Sequence, residues 1–139
     1  MNLSLKSKDD DTFVDVDRSR LYQVLDNILG NAIKFTKEGN ITIGIQGSEK
    51  VDIRGGARNN HNYDQVIVSV KDTGTGIDPE IFPRLFTKFA TKSVTGTGLG
   101  LFISKAIVEA HGGRIWAQNN DDGIGATFAF SLPLQINVL

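Results

Sequence analysis

The chain has 139 residues, of which 40% are apolar and 22% charged, a balance typical of one globular domain rather than of a disordered segment. Its 15 basic and 16 acidic side chains leave a net charge of -1, which excludes a bulk attraction to nucleic acid or to an anionic membrane surface. The absence of cysteine excludes disulfide bonds and thiolate metal sites. No apolar run approaches the roughly 20 residues of a membrane span. The lack of cysteine suits a reducing cytoplasm, and strand-like residues follow the opening Met almost at once. We therefore expect one cytoplasmic domain over residues 1–139, excised from a longer protein that can itself be anchored in a membrane.

The first part of the chain predicts two short strands followed by a long helix. Alternation of apolar and polar residues predicts strands over 2–7 and 12–16, on either side of a turn formed by aspartates. Asp17 is a suitable N-cap, and apolar side chains at helical spacing predict a helix over 18–37. Gly39 is a natural stop after its last turn.

Two further strands and a long loop are predicted in the middle of the chain. The β-branched run 41–45 predicts a strand, and the polar stretch 47–64, with its paired glycines and asparagines, predicts a loop. Alternating valines over 66–70 predict a strand with one strongly apolar face. A turn over 72–78 follows, and then a short helix from Pro79.

The last part of the chain predicts a helix followed by a hairpin. Apolar residues recur at helical spacing over 99–110, and Gly112 ends the helix. Residues 114–119 and 126–132 predict two strands around a turn at 121–125. The whole order predicts an α+β fold, a two-layer sandwich in which the helices cover one face of a mixed sheet.

Three polar residues, Asn27, Asn31 and Lys34, lie at i, i+4 and i+7 of the first predicted helix, away from its apolar stripe. Amide oxygens suit Mg²⁺ and an ammonium group suits phosphate, so this face can hold a metal ion and a phosphorylated ligand. The same pattern is also typical of a solvated polar face. These three residues alone do not decide between the two interpretations.

Asp72 has the parity of Val66 and Val70, so its carboxylate is predicted to point to the apolar side of the sheet, where the strand ends. A carboxylate in that position needs hydrogen-bond donors. Gly74 and Gly76 allow the backbone to approach a ligand closely, and an exocyclic amine such as that of adenine is a suitable donor. A tight turn capped by an aspartate is the alternative.

A glycine-rich stretch, Gly96-Thr97-Gly98-Leu99-Gly100, leads directly into the second predicted helix. Free backbone N–H groups at a helix N-terminus attract anions, and glycines let a polyphosphate approach them. The stretch is not a Walker A loop, because no Gly-Lys-Ser/Thr follows, and no strand precedes it as in a dinucleotide fingerprint. A flexible hinge before a helix is the alternative.

Other lysines and histidines give weaker signals. Lys88 and Lys92 flank Phe89 and are candidates for a mobile cover over phosphates, or for two solvated loop lysines. His61 lies in the polar loop, and His111 lies at a helix end where imidazole caps carbonyl groups. We expect structural roles for both histidines, since the sequence contains no motif of a zinc protease or a serine hydrolase.

Four segments, taken in order, closely resemble the boxes of the ATP-binding domain of sensor histidine kinases, in the GHKL ATPase superfamily. Residues 25–36 resemble the N box, 72–77 the G1 box, 85–89 the F box and 96–101 the G2 box. The match spans roughly 17–133. It implies a Bergerat-type fold, with ATP held between the two long helices and the sheet.

The resemblance also implies a role for each matching residue. Asn31 is the expected Mg²⁺ ligand, and Asn27 and Lys34 are the expected contacts to phosphates or bound water. Asp72 is expected to accept a hydrogen bond from the adenine amino group, assisted through water by Thr127. The remaining expected nucleotide contacts lie in the loops: Gly74, Gly76, Ile77, Lys92, Gly96, Gly98, Leu99 and Gly100.

The resemblance further implies partners. Nothing in the sequence resembles the helical dimerisation segment with its phospho-accepting histidine. We therefore expect the domain to present the γ-phosphate of ATP to a histidine on a separate domain of the same parent protein, with a response regulator downstream. We expect the isolated domain to be a monomer that contacts neither nucleic acid nor membrane.

Other branches of the superfamily are the main alternative. The chaperone, topoisomerase and mismatch-repair ATPases have a general-base Glu four residues before the metal-binding Asn. That position here is Asn27, whose amide accepts no proton at neutral pH. A serine kinase or other protein kinase on the same scaffold and a non-catalytic module are further alternatives. Gly96 follows Phe89 by only seven positions, a short lid for this family, which leaves the contacts of Lys92 open.

Overall fold

The computed structural model describes residues 2–7, 14–48, 64–90 and 98–134. These ranges contain two α-helices, α1 at Arg18–Phe35 and α2 at Gly100–Ala110, and a short 3₁₀ helix at Phe82–Arg84. The strands are β1 at Asn2–Ser7, β2 at Asn40–Ser48, β3 at Gln65–Asp72, β4 at Arg114–Asn119 and β5 at Ala126–Pro133.

The strands of the described ranges form one mixed sheet in the order β1-β2-β3-β5-β4. β1 pairs in parallel with β2, and the other neighbouring pairs are antiparallel. Both helices pack on the same face, because Ile28 of α1 and Val108 of α2 belong to one buried core with Val70 and Phe130. The predicted α+β sandwich, with helices on one face of a mixed sheet, is therefore confirmed.

Alternating apolar side chains along β3 and β5 build the inner face of the sheet. Val70 lies opposite Phe128, and Val68 lies opposite Phe130. Phe130 is only 1% exposed, and full burial of such a side chain stabilises a fold by about 1.5–3 kcal/mol. The same alternation brings Asp72 to the inner face at the end of β3.

The start of α1 at Arg18 follows from its N-cap, as predicted. Asp17 Oδ1 accepts hydrogen bonds from the N–H groups of Ser19 at 3.1 Å and Arg20 at 3.3 Å, and from the Ser19 hydroxyl at 2.7 Å. These bonds lower the pKa of Asp17 because they favour its charged form, and the bond from the Ser19 hydroxyl has the largest effect.

The helix ends at Phe35, two residues earlier than predicted, and Thr36 is its C-cap. The Phe35 carbonyl accepts a hydrogen bond from the Thr75 N–H at 3.2 Å. Gly74 packs so closely there that a Cβ would collide with the Phe35 carbonyl oxygen. A contact from a distant loop therefore ends the helix before Gly39, which instead precedes β2 with a φ of 137°.

Two predicted elements differ from the structure. Residues 14–16 lie outside any strand, so the strand predicted over 12–16 is wrong for its described part. The two valines there pack against the core at the entrance to α1 instead. The short helix predicted from Pro79 is a turn followed by the 3₁₀ helix, whose hydrogen bonds join residues three apart.

The loop predicted over 47–64 begins later than expected, because Gly47 and Ser48 extend β2 opposite Val66 and Gln65. The rest of that loop up to residue 63, and the turn predicted before residue 12, lie outside the described residues. The predicted α2, β4 and β5 are confirmed to within one residue. Among the helices of the described ranges, none has the length and apolar character needed to cross a bilayer.

Candidate functional site

A cavity of about 790 Å³ opens between α1, the N-terminal end of α2 and the loop after β3. This volume lies in the range of small-molecule sites. Eight of the residues predicted from the sequence line it: Asn27, Asn31, Lys34, Asp72, Gly76, Ile77, Gly98 and Gly100. The structure therefore brings together parts of three motifs that are distant in the sequence.

The wall formed by α1 presents the amides of Asn27 and Asn31, with Lys34 exposed beside them. Asn27 Nδ2 donates hydrogen bonds to the Gly100 carbonyl and to the Ser104 hydroxyl, both at 3.1 Å. These bonds link α1 to α2 and leave Asn27 Oδ1 as an acceptor. Two amides and one ammonium group, whose oxygens and charge suit a metal ion and an anion, therefore lie along one wall of the cavity.

The side chain of Asp72 lines the cavity, although the residue is only 3% exposed. Its Oδ1 accepts hydrogen bonds from the backbone N–H groups of Gly74 at 2.9 Å and Ala126 at 3.2 Å. Two backbone donors offset part of the cost of burying a carboxylate. Within the described residues both bonds end on Oδ1, so Oδ2 remains as an acceptor for a ligand.

The loop after β3 takes its shape from glycines and from a side chain of β4. Gly76 has a φ of 77°, a conformation that favours glycine. Ile77 N–H donates to Asn119 Oδ1 at 2.7 Å, and Asn119 Nδ2 donates to the Ile77 carbonyl at 3.2 Å. Gly74 lies outside the cavity lining and contributes through its N–H group to Asp72.

The N-terminal turn of α2 meets the cavity at Gly98 and Gly100, and Leu99 between them is the N-cap residue. Gly98 has a φ of 69°, and a Cβ there would lie 2.5 Å from Phe89 Cα. The Phe89 N–H donates to the Gly98 carbonyl at 2.8 Å, which links the segment after the 3₁₀ helix to the start of α2. The positive end of the α2 dipole thus borders the cavity.

Thr127 is not brought into the cavity. It alternates along β5 with Ala126 and Phe128, which are buried and line the cavity. Its hydroxyl donates to Asn120 Oδ1 at 2.6 Å. Because successive side chains of a strand point to opposite faces, the Thr127 side chain lies on the face of β5 away from the cavity, which is the wrong face for the predicted contact with the adenine site. Ala126 supplies a backbone N–H to Asp72 instead.

The remaining candidates divide into two groups. Lys92 and Gly96 of the predicted lid and His61 of the long loop lie outside the described residues. His111 makes the contacts expected at a helix end, since its Nδ1 lies 2.8 Å from the Ile107 carbonyl. Its Nε2 accepts a hydrogen bond from the N–H of residue 17 at 3.0 Å, which requires the proton on Nδ1.

Residues 16–136 match the family described as histidine kinase-, DNA gyrase B-, and HSP90-like ATPases. This range includes α1, α2, the strands β2 to β5 and the residues that line the cavity. The chain belongs to this family. Within it, the chain is a domain of the sensor histidine kinase type, as the resemblance of the four boxes predicted.

Two curated relatives support this placement. The sensor histidine kinase WalK of Bacillus subtilis is 38% identical over 132 residues, which cover 90% of this chain and 20% of WalK. The sensor protein FixL of Bradyrhizobium diazoefficiens is 42% identical over 117 residues, which cover 84% of this chain and 21% of FixL. The chain therefore spans about a fifth of the length of these relatives.

Solved structures have the same architecture. The catalytic domain of the histidine kinase ThkA superimposes with a TM-score of 0.75 at 34% identity, covering 95% of this chain and 78% of that domain. Full-length ShkA in complex with AMPPNP superimposes with a TM-score of 0.74 at 28% identity, covering 99% of this chain and 26% of ShkA.

Sequence reasoning missed several residues that shape the cavity of this histidine kinase-type domain. Asp26, Gly30 and Ile81 line it, and Asn119 and Asn120 hold the loop and strand end beside it. The sequence signal for Gly30 is its position inside a helix, where a glycine lowers the stability of the helix by about 1 kcal/mol relative to alanine and therefore suggests a functional reason. A Cβ at Gly30 would meet nothing within 4 Å. The contacts of the two asparagines join segments more than 40 positions apart, which no local pattern predicts.

Proposed function

We propose that this domain binds Mg-ATP in the cavity and presents the γ-phosphate for transfer to a histidine on a separate dimerisation domain of its parent protein. The observation that supports this most directly is the buried Asp72 carboxylate, held at Oδ1 by two backbone N–H groups and lining a cavity of about 790 Å³. In a chain of this ATPase family, that arrangement favours an adenine nucleotide as the ligand.

Asp72 is the proposed selector of adenine over guanine. Its Oδ2 accepts a hydrogen bond from the 6-amino group of adenine. Guanine has a carbonyl oxygen at that position, which a carboxylate repels. Ile77, Ile81 and Phe128 in the lining supply apolar contacts for the flat base.

The phosphates are proposed to lie between α1 and the N-terminal turn of α2. Asn31 is the proposed protein ligand of Mg²⁺, and the nucleotide supplies further oxygens. In the described ranges no three His, Cys, Asp or Glu side chains gather as a metal site, which suits an ion held largely by substrate phosphates. Lys34 and the α2 dipole at Gly100 stabilise the negative charge.

The parent protein is proposed to supply the acceptor. The chain, taken as a single domain over 1–139, spans about a fifth of WalK and FixL, which supports additional domains, among them the histidine-bearing dimerisation domain. A response regulator is the proposed next acceptor. The domain itself is proposed to be a cytoplasmic monomer without contacts to membrane or nucleic acid, and an incomplete kinase by itself.

The described histidine is a poor acceptor within this proposal. His111 engages both ring nitrogens, and it follows the 11 residues of α2, whose first residue borders the cavity. At 1.5 Å per residue, about 15 Å separate the two ends of such a helix.

An ATP-hydrolysing domain is the second candidate, since the family also includes gyrase B- and HSP90-like ATPases. The resemblance places a general-base Glu of those ATPases where this chain has Asn27. The Asn27 amide is bonded to Gly100 and Ser104 and accepts no proton at neutral pH. The lack of a proton acceptor at this position favours the kinase over the ATPase.

Calorimetric titration of the domain with ATP, ADP and GTP, with and without Mg²⁺, tests the proposed ligand. We expect both adenine nucleotides to bind and GTP to bind far more weakly. Asp72→Asn is expected to weaken ATP binding and to narrow the preference over GTP, because an amide Nδ2 donates where the carboxylate accepts. A domain that binds no adenine nucleotide at millimolar concentration contradicts the proposal, and equal affinity for GTP contradicts the role of Asp72.

A further inference from the structure

We infer that Asn119 and Asn120, at the end of β4, are positioning residues for adenine recognition. This inference rests on the function proposed above. Neither side chain belongs to the cavity lining within the described residues. Their amides instead hold the two backbone segments that form the adenine end of the cavity, the end of β3 at Asp72 and the loop at Ile77.

Asn119 fixes the loop by two hydrogen bonds, one to the peptide unit before Ile77 and one to the peptide unit after it. The Ile77 N–H donates to Asn119 Oδ1 at 2.7 Å, and Asn119 Nδ2 donates to the Ile77 carbonyl at 3.2 Å. A Cβ at Gly76 would lie 3.0 Å from the same Oδ1. The asparagine and the glycine therefore fit each other, and together they set the backbone that lines the cavity at this point.

Asn120 fixes the strand end in the same way. It is 8% exposed, and its Nδ2 donates to the Asp72 carbonyl at 2.9 Å and to the Ile124 carbonyl at 2.8 Å. Its Oδ1 accepts the Thr127 hydroxyl at 2.6 Å. The amide thus uses both of its donor hydrogens and its acceptor, and Thr127 acts on the site through Asn120 rather than by direct contact.

The turn between β4 and β5 completes this support. Gly125 has a φ of 76°, and a Cβ there would lie 2.8 Å from Asp72 Oδ1. The next residue, Ala126, donates its N–H to that same oxygen. The hairpin therefore fixes both the main chain and the carboxylate of Asp72 before a nucleotide arrives, and such preorganisation reduces the cost of binding.

Asn119→Ala tests the inference, with Gln118→Ala as the matched control. Asn119 is exposed at the surface, so water can replace its bonds and the fold should persist. We expect Asn119→Ala to bind ADP about tenfold more weakly than wild type, because the loop loses the two hydrogen bonds that hold it in the binding conformation. Its preference for ADP over GDP should fall too, while Gln118→Ala, exposed on the same strand, should match wild type in both.

Calorimetry with ADP and GDP gives the affinities, and a thermal melt without nucleotide separates positioning from folding. Asn119→Asp retains the acceptor for the Ile77 N–H and should recover part of the lost affinity. Wild-type affinity and preference in Asn119→Ala would overturn the inference, as would an equal loss in Gln118→Ala or a loss matched by a fall in nucleotide-free stability. A wild-type domain that binds no ADP would instead contradict the proposed function, and the inference with it.

Discussion

Asn31 lies in the wall of the cavity, one helical turn from Asn27. Because its side chain borders the cavity and not the buried stripe of α1, Asn31→Ala should remove a metal ligand without a loss of packing. We expect the affinity for ATP in the presence of Mg²⁺ to fall by roughly tenfold or more, while the melting temperature without nucleotide stays close to that of wild type. Titration with and without Mg²⁺ measures the effect.

The matched control for Asn31→Ala lies one turn earlier on the same helix. Ile28 is 0% exposed, so Ile28→Ala should lower the free energy of unfolding by about 2–5 kcal/mol. An unchanged affinity of Asn31→Ala for ATP with Mg²⁺ would show that Asn31 is a residue of a solvated face.

Single residues of the site differed in how well the sequence predicted them. The alternation along β3 placed Asp72 on the inner face, where the structure has it. The same alternation along β5 predicts an outward-facing Thr127, whereas the resemblance to the family motif predicts a contact with the adenine site, and the structure follows the alternation. The contacts of Asn119 and Asn120 join segments that are distant in the chain, so no local pattern predicts them.

At the scale of elements, the N-cap of α1 makes helix stability depend on pH. The pKa of Asp17 is lowered in the folded state, chiefly by the Ser19 hydroxyl. Its contribution to stability is therefore present above the unfolded pKa of about 3.9 and is lost as the pH falls through the lower folded pKa. Asp17→Ala should melt at a lower temperature than wild type at neutral pH, and the difference should shrink in acid.

Thermal melts of both proteins across the acid range measure this difference. Asp15→Ala is the control, since Asp15 is exposed just before the cap, and it should show no comparable change at neutral pH. A difference between Asp17→Ala and wild type that stays constant down to strong acid would contradict the proposed origin of the cap's contribution.

Capping residues and short-range alternation predicted the helix and strand ends that depend only on neighbouring residues. Asp17 placed the start of α1 correctly, and the hairpin strands were correct to within one residue. The end of α1 was predicted too late, because the Phe35 carbonyl is bound by the distant Thr75 N–H. The parallel pairing of β1 with β2, and the central position of β3 between β2 and β5, depend on the whole chain and not on any one segment.

At the scale of the whole molecule, the cavity exists only where separate elements meet. The cavity is lined by amides of α1, by the N-terminal end of α2 and by the Asp72 carboxylate of β3. The β4–β5 hairpin holds Asp72 in place by hydrogen bonds from Ala126 and Asn120. The hydrogen bond from the Phe89 N–H to the Gly98 carbonyl links the segment after the 3₁₀ helix to the start of α2. The proposed binding of nucleotide therefore depends on the complete fold, and the proposed phosphoryl transfer depends in addition on an acceptor outside this domain.

We propose that this domain is the ATP-binding half of a kinase whose histidine lies elsewhere in the parent protein. Incubation with ATP labelled at the γ-phosphate tests it most directly, first with the domain alone and then with the histidine-bearing segment of the parent added. We expect neither appreciable phosphate release nor stable self-labelling by the domain alone, since the Asn27 amide is no base and His111 has both ring nitrogens engaged. The added segment should become labelled on its histidine, whereas robust phosphate release by the domain alone would rule out this division of roles and favour an ATP-hydrolysing domain.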